Sequence, residues 1–243
     1  MDKGIALVTG VKARIGKQVA EALLADGWRV LGQVRDADDP VPDGCVRLTG
    51  DLARADIGKH LYAQIEGEAP SLLVNCAARF VVDALGTLDP QEFEAHMAIN
   101  ARAPALIGEA FASALGSRDG LVVNILDAKL DAPNPDYLSY TLSKVALAGW
   151  TDIAAREWAG EGIRVNAIAP ALMLPSGDMS QEDFERVHDL NPLGHGIEPQ
   201  ELVAALRYLI EAPGVTGETL TLDAGQRFLA LPRDVAYLEV EEE

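Results

Sequence analysis

Residues 121–148 read LVVNILDAKLDAPNPDYLSYTLSKVALA, and this stretch decides the fold class. Its first six residues are aliphatic apart from Asn124, without the polar alternation of a half-exposed strand, so they predict a strand covered on both faces, as in a parallel sheet. Asp127 stands at the end of that strand. After a loop with two prolines, apolar residues recur at helical spacing from about residue 140 to 158. A buried strand followed by a helix indicates an α/β fold.

Tyr140 and Lys144 are four residues apart in that helix and therefore share one face of it. An ammonium near a tyrosine favours the ionised phenol and lowers its pKa from about 10, so the pair can deliver a proton near neutral pH. The alternative is that both side chains belong to an ordinary helix surface. The rest of the chain has to distinguish these two interpretations.

The chain as a whole alternates strand-like and helix-like segments. This order predicts one doubly wound, Rossmann-type α/β domain over residues 1–243, with a parallel sheet of about seven strands between helix layers. The predicted strands are 5–9, 28–34, 45–48, 71–76, 121–126, 163–169 and 218–222. The predicted helices are 16–25, 52 to about 66, 90–115, 140–158, 181–190 and 199–210. Pro104 predicts a kink in the third helix, where Asn100 is interpreted either as holding a water or backbone group or as a tolerated polar residue.

The composition excludes several classes of protein. With 38 acidic and 20 basic residues the formal charge is −18, which argues against nucleic-acid partners and anionic membrane surfaces. The N-terminus enters a strand-like run at once and no apolar stretch approaches the roughly 18 residues of a membrane span, so we expect a cytoplasmic protein without a membrane partner. Cys45 and Cys76 are too few for a disulfide framework and are expected to be small core residues. The four histidines show no metal-ligand spacing, so we expect no metal.

A glycine loop, TGVKARIG at residues 9–16, follows the first strand and precedes an amphipathic segment. This order suits a dinucleotide pyrophosphate, because helix N-terminal amides attract it and Gly10 and Gly16 let the backbone pass close to a ligand or a helix. The alternative is a plain connector. The position of the loop directly after the first strand favours nucleotide binding.

Arg35 follows the second strand, where a dinucleotide fold distinguishes a free ribose hydroxyl from a 2′-phosphate. A cation there favours NADPH, and Arg14 in the glycine loop lies on the same approach, so two guanidiniums are expected to clamp the phosphate. Asp36 and Asp38 weigh against this interpretation, and an arginine on a turn is commonly plain surface. We predict NADPH.

Three further segments are interpreted as parts of the site. The fourth strand ends in small residues, 75–78, that let a planar ring or a cofactor approach the backbone. Phe80 just beyond them is either a stacking face for a ligand or a plug that joins the loop to the core. The segment 171–198, rich in turn residues, predicts a substrate loop around a short helix. The tail, 227–243, ends in an acidic run and is expected to be solvated or to pack on a neighbouring subunit.

Taken together, these motifs resemble the short-chain dehydrogenase/reductase family. They are Thr9-Gly10, 75–77, Asn100, YTLSK at 140–144 and VTGETLTLDAG at 215–225. Arg14 stands where the family has its middle glycine, Cys76 where it has a second asparagine, and Asp127, 13 residues before Tyr140, where it has a serine. With these three residues the chain resembles the pteridine reductases and dihydromonapterin reductases. Phe80 also falls where pteridine reductases place the aromatic residue that stacks on the pterin.

The resemblance implies a role for each candidate residue. NADPH is expected to be bound by Gly10, Arg14, Ile15, Gly16, Arg35, Asp51, Leu52, Asn75, Ala77, Tyr140, Lys144 and Pro170. The expected catalytic residues are Asp127, Tyr140, Lys144 and Asn100, and the expected substrate contacts are Phe80, Arg14, Asp127 and Tyr140. Lys144 would bind the nicotinamide ribose and tune Tyr140, while Phe80 would hold a pterin against the nicotinamide. For Asp127 to act as an acid, burial has to raise its pKa from about 3.9.

The predicted function is NADPH-dependent hydride transfer to a pterin, with proton delivery by Asp127, Tyr140 and Lys144. A pterin edge offers N–H donors that a carboxylate accepts, whereas a carbonyl substrate needs a hydroxyl donor. One alternative is an NADPH-dependent carbonyl reductase of another small molecule, in which Asp127 merely replaces serine. Another is a catalytically silent dinucleotide-binding sensor, against which the intact Tyr140, Lys144 and Asn100 argue. The family also implies a homo-oligomer, a tetramer or a dimer, with the helices that begin near residues 90 and 140 at the interface.

Overall fold

A computed structural model describes residues 3–175 and 179–238 of the protein. Its seven strands form one parallel sheet in the order β3-β2-β1-β4-β5-β6-β7. They are β1 Ile5–Thr9, β2 Arg29–Val34, β3 Val46–Thr49, β4 Leu72–Asn75, β5 Gly120–Ile125, β6 Ile163–Pro170 and β7 Thr219–Leu222. The predicted doubly wound parallel sheet is confirmed. No helix within the described ranges is long and apolar enough to cross a membrane.

The described part of the chain contains seven α-helices. They are α1 Arg14–Ala25, α2 Ile57–Tyr62, α3 Pro90–His96, α4 Ala103–Leu115, α5 Leu138–Trp158, α6 Gln181–His188 and α7 Pro199–Glu211. One core lies between the sheet and α1 and α7, and a second lies between the sheet and α2, α4 and α5. All six residues of β5 are buried, which is the pattern expected for a strand covered on both faces.

The second predicted helix is shorter than its sequence pattern indicated, because α2 ends at Tyr62 instead of continuing to residue 66. Beyond it, the side-chain amide of Gln64 accepts a hydrogen bond from Thr49 N at 2.9 Å and donates one to Thr49 O at 2.9 Å. Thr49 belongs to the edge strand β3, whose outer backbone groups lack a strand partner in the sheet. Gln64 satisfies these backbone groups of β3, and the chain is no longer helical at this residue.

The predicted kink in the helix 90–115 is present as a π-helical turn, Met97–Arg102, between α3 and α4. Pro104 itself lies in the first turn of α4, where a missing N–H is tolerated. The ring of a proline crowds the carbonyl four residues earlier, which here is that of Asn100. The irregularity therefore falls one turn before the proline and contains Asn100.

The two cysteines lie at strand ends, at the margin of the core between the sheet and α1 and α7. Cys45 directly precedes β3 and Cys76 directly follows β4, and both are unpaired and half-buried. Both pack against buried core residues, in agreement with the expectation, but neither is fully buried. Burial raises the pKa of the Cys45 thiol to about 11 and that of the Cys76 thiol to about 12. Both are therefore protonated thiols at neutral pH.

Candidate active site

A cavity of about 600 Å³ opens at the carboxyl edge of the sheet. Its walls come from the segments that follow β1, β4, β5 and β6, from Tyr140 and Lys144 on α5, and from residues 226–235 near the C-terminus. The order of the central strands reverses between β1 and β4, which is where an open α/β sheet leaves a crevice for a ligand. A cavity of this volume holds a small-molecule ligand.

The glycine loop packs directly against the loop that follows β4. Gly10 has φ +74°, and a Cβ there would lie 2.9 Å from Ala77 Cα. A Cβ at Gly16 would lie 2.3 Å from the carbonyl oxygen of Gly10. Thr9 Oγ1 accepts hydrogen bonds from the backbone N–H groups of Cys76 and Ala77, at 3.0 and 3.1 Å. The two glycines are required for this close approach, which brings the start of α1 to the cavity.

The glycine loop carries two cations, Lys12 and Arg14. Arg14 lines the cavity and donates from Nη1 to the carbonyl oxygen of Pro175 at 2.5 Å, so it contacts the predicted substrate loop. Its φ of +54° is a left-handed conformation that costs a non-glycine residue about 1–2 kcal/mol. Lys12, which sequence reasoning missed, pairs with Asp39 just beyond β2. Lys12 is thus a further cation near the end of β2, and the clamp of a 2′-phosphate by Arg14 and Arg35 stays a prediction.

Asp127 and Tyr140 form the centre of the site. Tyr140 Oη donates a hydrogen bond to Asp127 Oδ2 at 2.8 Å, and the other carboxylate oxygen accepts from the backbone N–H of Lys129 at 2.9 Å. Removal from water raises the pKa of Asp127 above its ordinary value, against these two hydrogen bonds and the charge of Lys144. The expectation that burial raises the pKa of Asp127 is therefore confirmed. The carboxyl group keeps its proton up to a higher pH than a solvated carboxyl group does.

Lys144 is 2 % exposed and donates from Nζ to the carbonyl oxygen of Ile125 at 2.6 Å. Its ammonium lies 5.6 Å from the ring centroid of Tyr140, and burial lowers its pKa to about 8. The pKa of Tyr140 is nevertheless raised well above 10, first by burial and then by the neighbouring Asp127. The expectation that Lys144 lowers the pKa of Tyr140 is wrong for this arrangement, since burial and the carboxylate outweigh the ammonium.

The start of α5 is held by a residue from a distant loop. The side chain of Asp83 accepts a hydrogen bond from Ser139 N at 3.0 Å, and its backbone carbonyl accepts one from Leu138 N at 3.3 Å. Tyr137, immediately before the helix, has φ +53° and no side-chain cap of its own. Asp83 thus takes the role of a helix cap and fixes the first turn of α5, which carries Tyr140.

Phe80 lies on the cavity wall, half-buried, and so is not a plug of the core. Its ring stacks on that of Tyr137, with centroids 4.3 Å apart and an interplanar angle of 23°. It stands nearly perpendicular to the ring of Tyr140, at 86° and 4.7 Å. Phe80 therefore presents an aromatic surface beside the hydroxyl of Tyr140, where a flat ring can lie.

Asn100 acts behind the site. It is fully buried, accepts from Arg79 N at 2.6 Å and donates to Arg79 O at 2.9 Å. It also donates to Ser143 Oγ at 2.9 Å, and Ser143 Oγ donates to the carbonyl oxygen of Tyr140 at 2.6 Å. The π-helical turn is thereby tied to α5. Asn100 therefore holds backbone groups, as the first of the two interpretations from the sequence predicts, and is not merely a tolerated polar residue.

Several predicted cofactor residues lie outside the cavity wall. The wall includes Gly10, Arg14, Ile15, Gly16, Ala77, Tyr140, Lys144 and Pro170, whereas Arg35, Asp51, Leu52 and Asn75 are absent from it in the described ranges. Asn75 Oδ1 is buried and accepts no hydrogen bond from the part of the chain that the structure describes. Its Nδ2 donates to Asn124 Oδ1 at 2.8 Å.

The C-terminal tail packs on the cavity of its own chain, up to Leu238, instead of being solvated. Leu231, Arg233, Asp234 and Val235 line the cavity. Lys129 Nζ pairs with Asp234 at 3.0 Å. Sequence reasoning missed these residues because a loop and a tail carry no periodicity that would pair them. The acidic run at 239–243 lies outside the described residues.

Metal-ligating side chains are not grouped in the described ranges. Within residues 3–175 and 179–238, no set of three or more His, Cys, Asp or Glu side chains is placed to hold a metal ion. The titratable side chains that line the cavity include Asp127, Tyr140, Lys144, Lys129 and Asp234.

The chain is similar to several known proteins. The family described as "Enoyl-(Acyl carrier protein) reductase" matches residues 10–227. The chain is 33% identical to galactitol 2-dehydrogenase (L-tagatose-forming) of Cereibacter sphaeroides, over 93% of this chain and 95% of that protein. Crystal structures of FolM alternative dihydrofolate reductase 1 with NADP are 35% identical for Brucella suis and 36% for Brucella canis. Each covers 93% of this chain, with 96% and 94% of the respective FolM chain covered and a TM-score of 0.85 for both.

Proposed function

The chain belongs to the short-chain dehydrogenase/reductase family, and we propose that within it the protein is an NADPH-dependent reductase that transfers a hydride to a pterin. Membership of this family makes the protein an oxidoreductase. The two FolM structures with NADP, which cover nearly the whole chain at about one third identity, support the pterin branch. Fold alone does not choose a substrate, so the proposal depends on the groups in the cavity.

One observation carries the proposal, namely the carboxylate of Asp127 at 2.8 Å from the hydroxyl of Tyr140. A ketone oxygen requires hydrogen-bond donors, and a hydroxyl group beside the tyrosine supplies one. A carboxyl group, in contrast, accepts hydrogen bonds from ring N–H groups when ionised and delivers a proton when protonated. The flat surface of Phe80 beside Tyr140 supports a planar heteroaromatic substrate.

The residues of the chain fit NADPH. Gly10 and Gly16 clear the path of the backbone at the start of α1, where a pyrophosphate is favoured. Arg35 at the end of β2 and Lys12 in the glycine loop supply two cations for the 2′-phosphate, in competition with their present partners Asp36 and Asp39. Lys144 lies beside the ring of Tyr140 on the cavity wall and suits the hydroxyls of a nicotinamide ribose.

The protein's own groups hold and position the proton. When bound, NADPH supplies the hydride that reduces the carbon of a C=N bond, and the nitrogen takes up a proton. Tyr140 Oη and Asp127 share a hydrogen bond and both have raised pKa values, so the pair retains a proton near neutral pH. Lys144 faces the same pair with an ammonium that titrates near pH 8, and can restore the lost proton.

The test is the rate of NADPH oxidation with a panel of dihydropterins, quinonoid dihydropteridines and simple ketones. We expect turnover with pterins, and we expect Asp127→Ser to lower kcat/KM for them by about a hundredfold or more, because an acid–base group is lost. Asp131→Ser is the matched control, since Asp131 lies four residues further in the same loop and is exposed. Turnover of ketones without any pterin would refute the proposal, as would an unchanged pterin rate in Asp127→Ser.

The same panel decides the alternative of a carbonyl reductase. That alternative is supported by the relatives that act on other substrates, such as the galactitol 2-dehydrogenase and the (3R)-3-hydroxyacyl-CoA dehydrogenase of Rattus norvegicus, which is 27% identical over 91% of this chain and 95% of that protein. In that case Asp127→Ser should preserve or improve ketone reduction, because serine restores the usual hydroxyl donor.

A homo-oligomer and a cytoplasmic location also stay predictions, as does a single domain over residues 1–243. The oligomer is supported by Leu142, Val145 and Ile153, three apolar side chains of α5 that are exposed in the single chain. Apolar residues on a long helix commonly mark a surface that a second subunit covers.

A further inference from the structure

The C-terminal segment, defined here as residues 226–238, crosses the substrate side of the cavity. It contains two 3₁₀ turns, Gln226–Leu229 and Val235–Tyr237, joined by an irregular stretch that borders the cavity. Six of its residues contribute to the wall, namely Gln226, Arg227, Leu231, Arg233, Asp234 and Val235. None of the proposed acid–base steps uses them.

One buried carboxylate anchors this segment. The side chain of Asp136 is 5% exposed and accepts from Arg233 Nη2 at 2.7 Å, from Arg233 Nε at 2.8 Å and from the backbone N–H of Asp234 at 2.8 Å. Two parallel N–H bonds from one guanidinium fix its direction as well as its position. Arg233 holds the pKa of Asp136 below its ordinary value, so the carboxylate stays charged and the anchor persists in mildly acid conditions.

Lys129 adds a second attachment. Its Nζ donates to the carbonyl oxygen of Asp136 at 2.6 Å and to Asp234 Oδ2 at 3.0 Å, and it lies 5.3 Å from the ring centroid of Tyr137. The backbone N–H of Lys129 also donates to Asp127. The segment is thus joined to the loop that carries the catalytic carboxyl group.

A row of aromatic rings connects the segment to Tyr140. Tyr237 stacks on Tyr137 with centroids 5.9 Å apart, Tyr137 stacks on Phe80 at 4.3 Å, and Phe80 meets Tyr140 edge-on at 4.7 Å. The guanidinium of Arg233 lies 5.3 Å from the ring centroid of Tyr237. Close-packed rings transmit displacement, because an offset in one ring leaves a void or a clash at the next.

We propose that Arg233 is a positioning residue: by binding Asp136 it holds the C-terminal segment over the cavity and keeps Phe80 in place to bind the ring of the substrate. The aromatic nature of that substrate rests on the proposed function, whereas the closing of the cavity does not. Arg233 acts on the substrate half of the cavity and leaves the glycine loop, where the cofactor is expected, untouched.

The test compares Arg233→Ala with Arg207→Ala. Arg207 makes the same kind of two-pronged ion pair with Asp26, at 2.8 and 2.9 Å, but between α7 and the end of α1, away from the cavity. We expect Arg233→Ala to raise the substrate KM by roughly tenfold or more, since a misplaced binding group weakens substrate binding. The NADPH Kd, from cofactor fluorescence, should change by less than about twofold in both variants.

The comparison separates positioning from stability. Both variants lose an ion pair, so a merely structural role predicts the same small effect on substrate KM in each, and that result would overturn the proposal. An increase in NADPH Kd equal to that in substrate KM would also overturn it. If Arg233→Ala does not fold, Arg233→Lys against Arg207→Lys is the same test, because lysine keeps the charge but not the two parallel bonds; we expect a smaller rise in substrate KM for Arg233→Lys alone.

The assay uses whichever member of the pterin and ketone panel the unmodified enzyme reduces. If the pterin proposal fails, the unmodified enzyme reduces no pterin of the panel. A failure of the Arg233 proposal shows only in the comparison of the two arginine variants. The two results are independent.

Discussion

Replacing Lys144 with methionine should abolish reductase activity and make the protein more stable. Lys144 is 2% exposed, and burial lowers its pKa from 10.5 to about 8. That difference corresponds to about 3 kcal/mol by which folding is opposed at neutral pH, since the native state must hold a buried ammonium. Loss of the hydrogen bond to the carbonyl of Ile125 returns about 1 kcal/mol. The net gain is about 2 kcal/mol, or roughly 4–8 °C in Tm for a chain of this size.

The sign of the pH dependence distinguishes this cause from a simple gain in packing. The native pKa of Lys144 lies below its unfolded value, so between about pH 8 and 10.5 the unfolded chain binds the extra proton and the native state does not. The stability of the unmodified protein therefore rises with pH across that window. Below pH 8 the cost of burial is present in full, and above 10.5 it is absent. The advantage of Lys144→Met should shrink between these limits.

The measurement is the free energy of unfolding in urea at pH 7 and at intervals to pH 10.5, without cofactor. Lys17→Met is the matched control, because Lys17 is half-exposed on α1 and pairs with Glu21 at 3.7 Å. It should change stability by less than about 0.5 kcal/mol at every pH. A Lys144→Met protein that is less stable than the unmodified one at pH 7, or whose advantage is the same at pH 7 and 10, would refute the reasoning.

Two further predictions concern the proton and the cofactor. Tyr140→Phe removes the hydroxyl that donates to Asp127, so NADPH oxidation should fall by about a hundredfold or more while NADPH binding by fluorescence titration is retained; a rate close to that of the unmodified enzyme would contradict the role of Tyr140. Arg35→Asp places a carboxylate at the end of β2 and should shift preference toward NADH, measured as the ratio of kcat/KM for the two cofactors; an unaltered ratio would assign the 2′-phosphate to Lys12 alone.

The strands and the paired catalytic residues were predictable because they depend on short-range patterns. The apolar run that forms β5 is buried throughout, and its predicted end at Leu126 lies one residue beyond the observed end. Tyr140 and Lys144 share a helix face because they are four residues apart, and Asp127 comes close to Tyr140 because a strand end and a helix start meet at the carboxyl edge of a parallel sheet. The residues of this group were all identified from the sequence.

Predictions from the sequence were wrong or incomplete where a side chain's properties depend on residues that are distant along the chain. Lys144 was expected to lower the pKa of Tyr140, but burial and Asp127 raise it. The contact of Arg14 with Pro175, in the loop after β6, was likewise not indicated by sequence spacing. Sequence spacing gives the type of a side chain and its face on a helix. Its surroundings come from segments that are far apart along the chain.

The sequence by itself determined the parallel sheet, the glycine loop and the group of Asp127, Tyr140 and Lys144, because periodicity and short spacings record local geometry. Only the tertiary structure decided the electrostatics of that group and the wall that faces it. Asp136 and Arg233 are separated by 97 residues and have no periodic signal to pair them. Their contact depends on the folded chain bringing a loop and a tail to one edge of the sheet, where a buried carboxylate requires a cation.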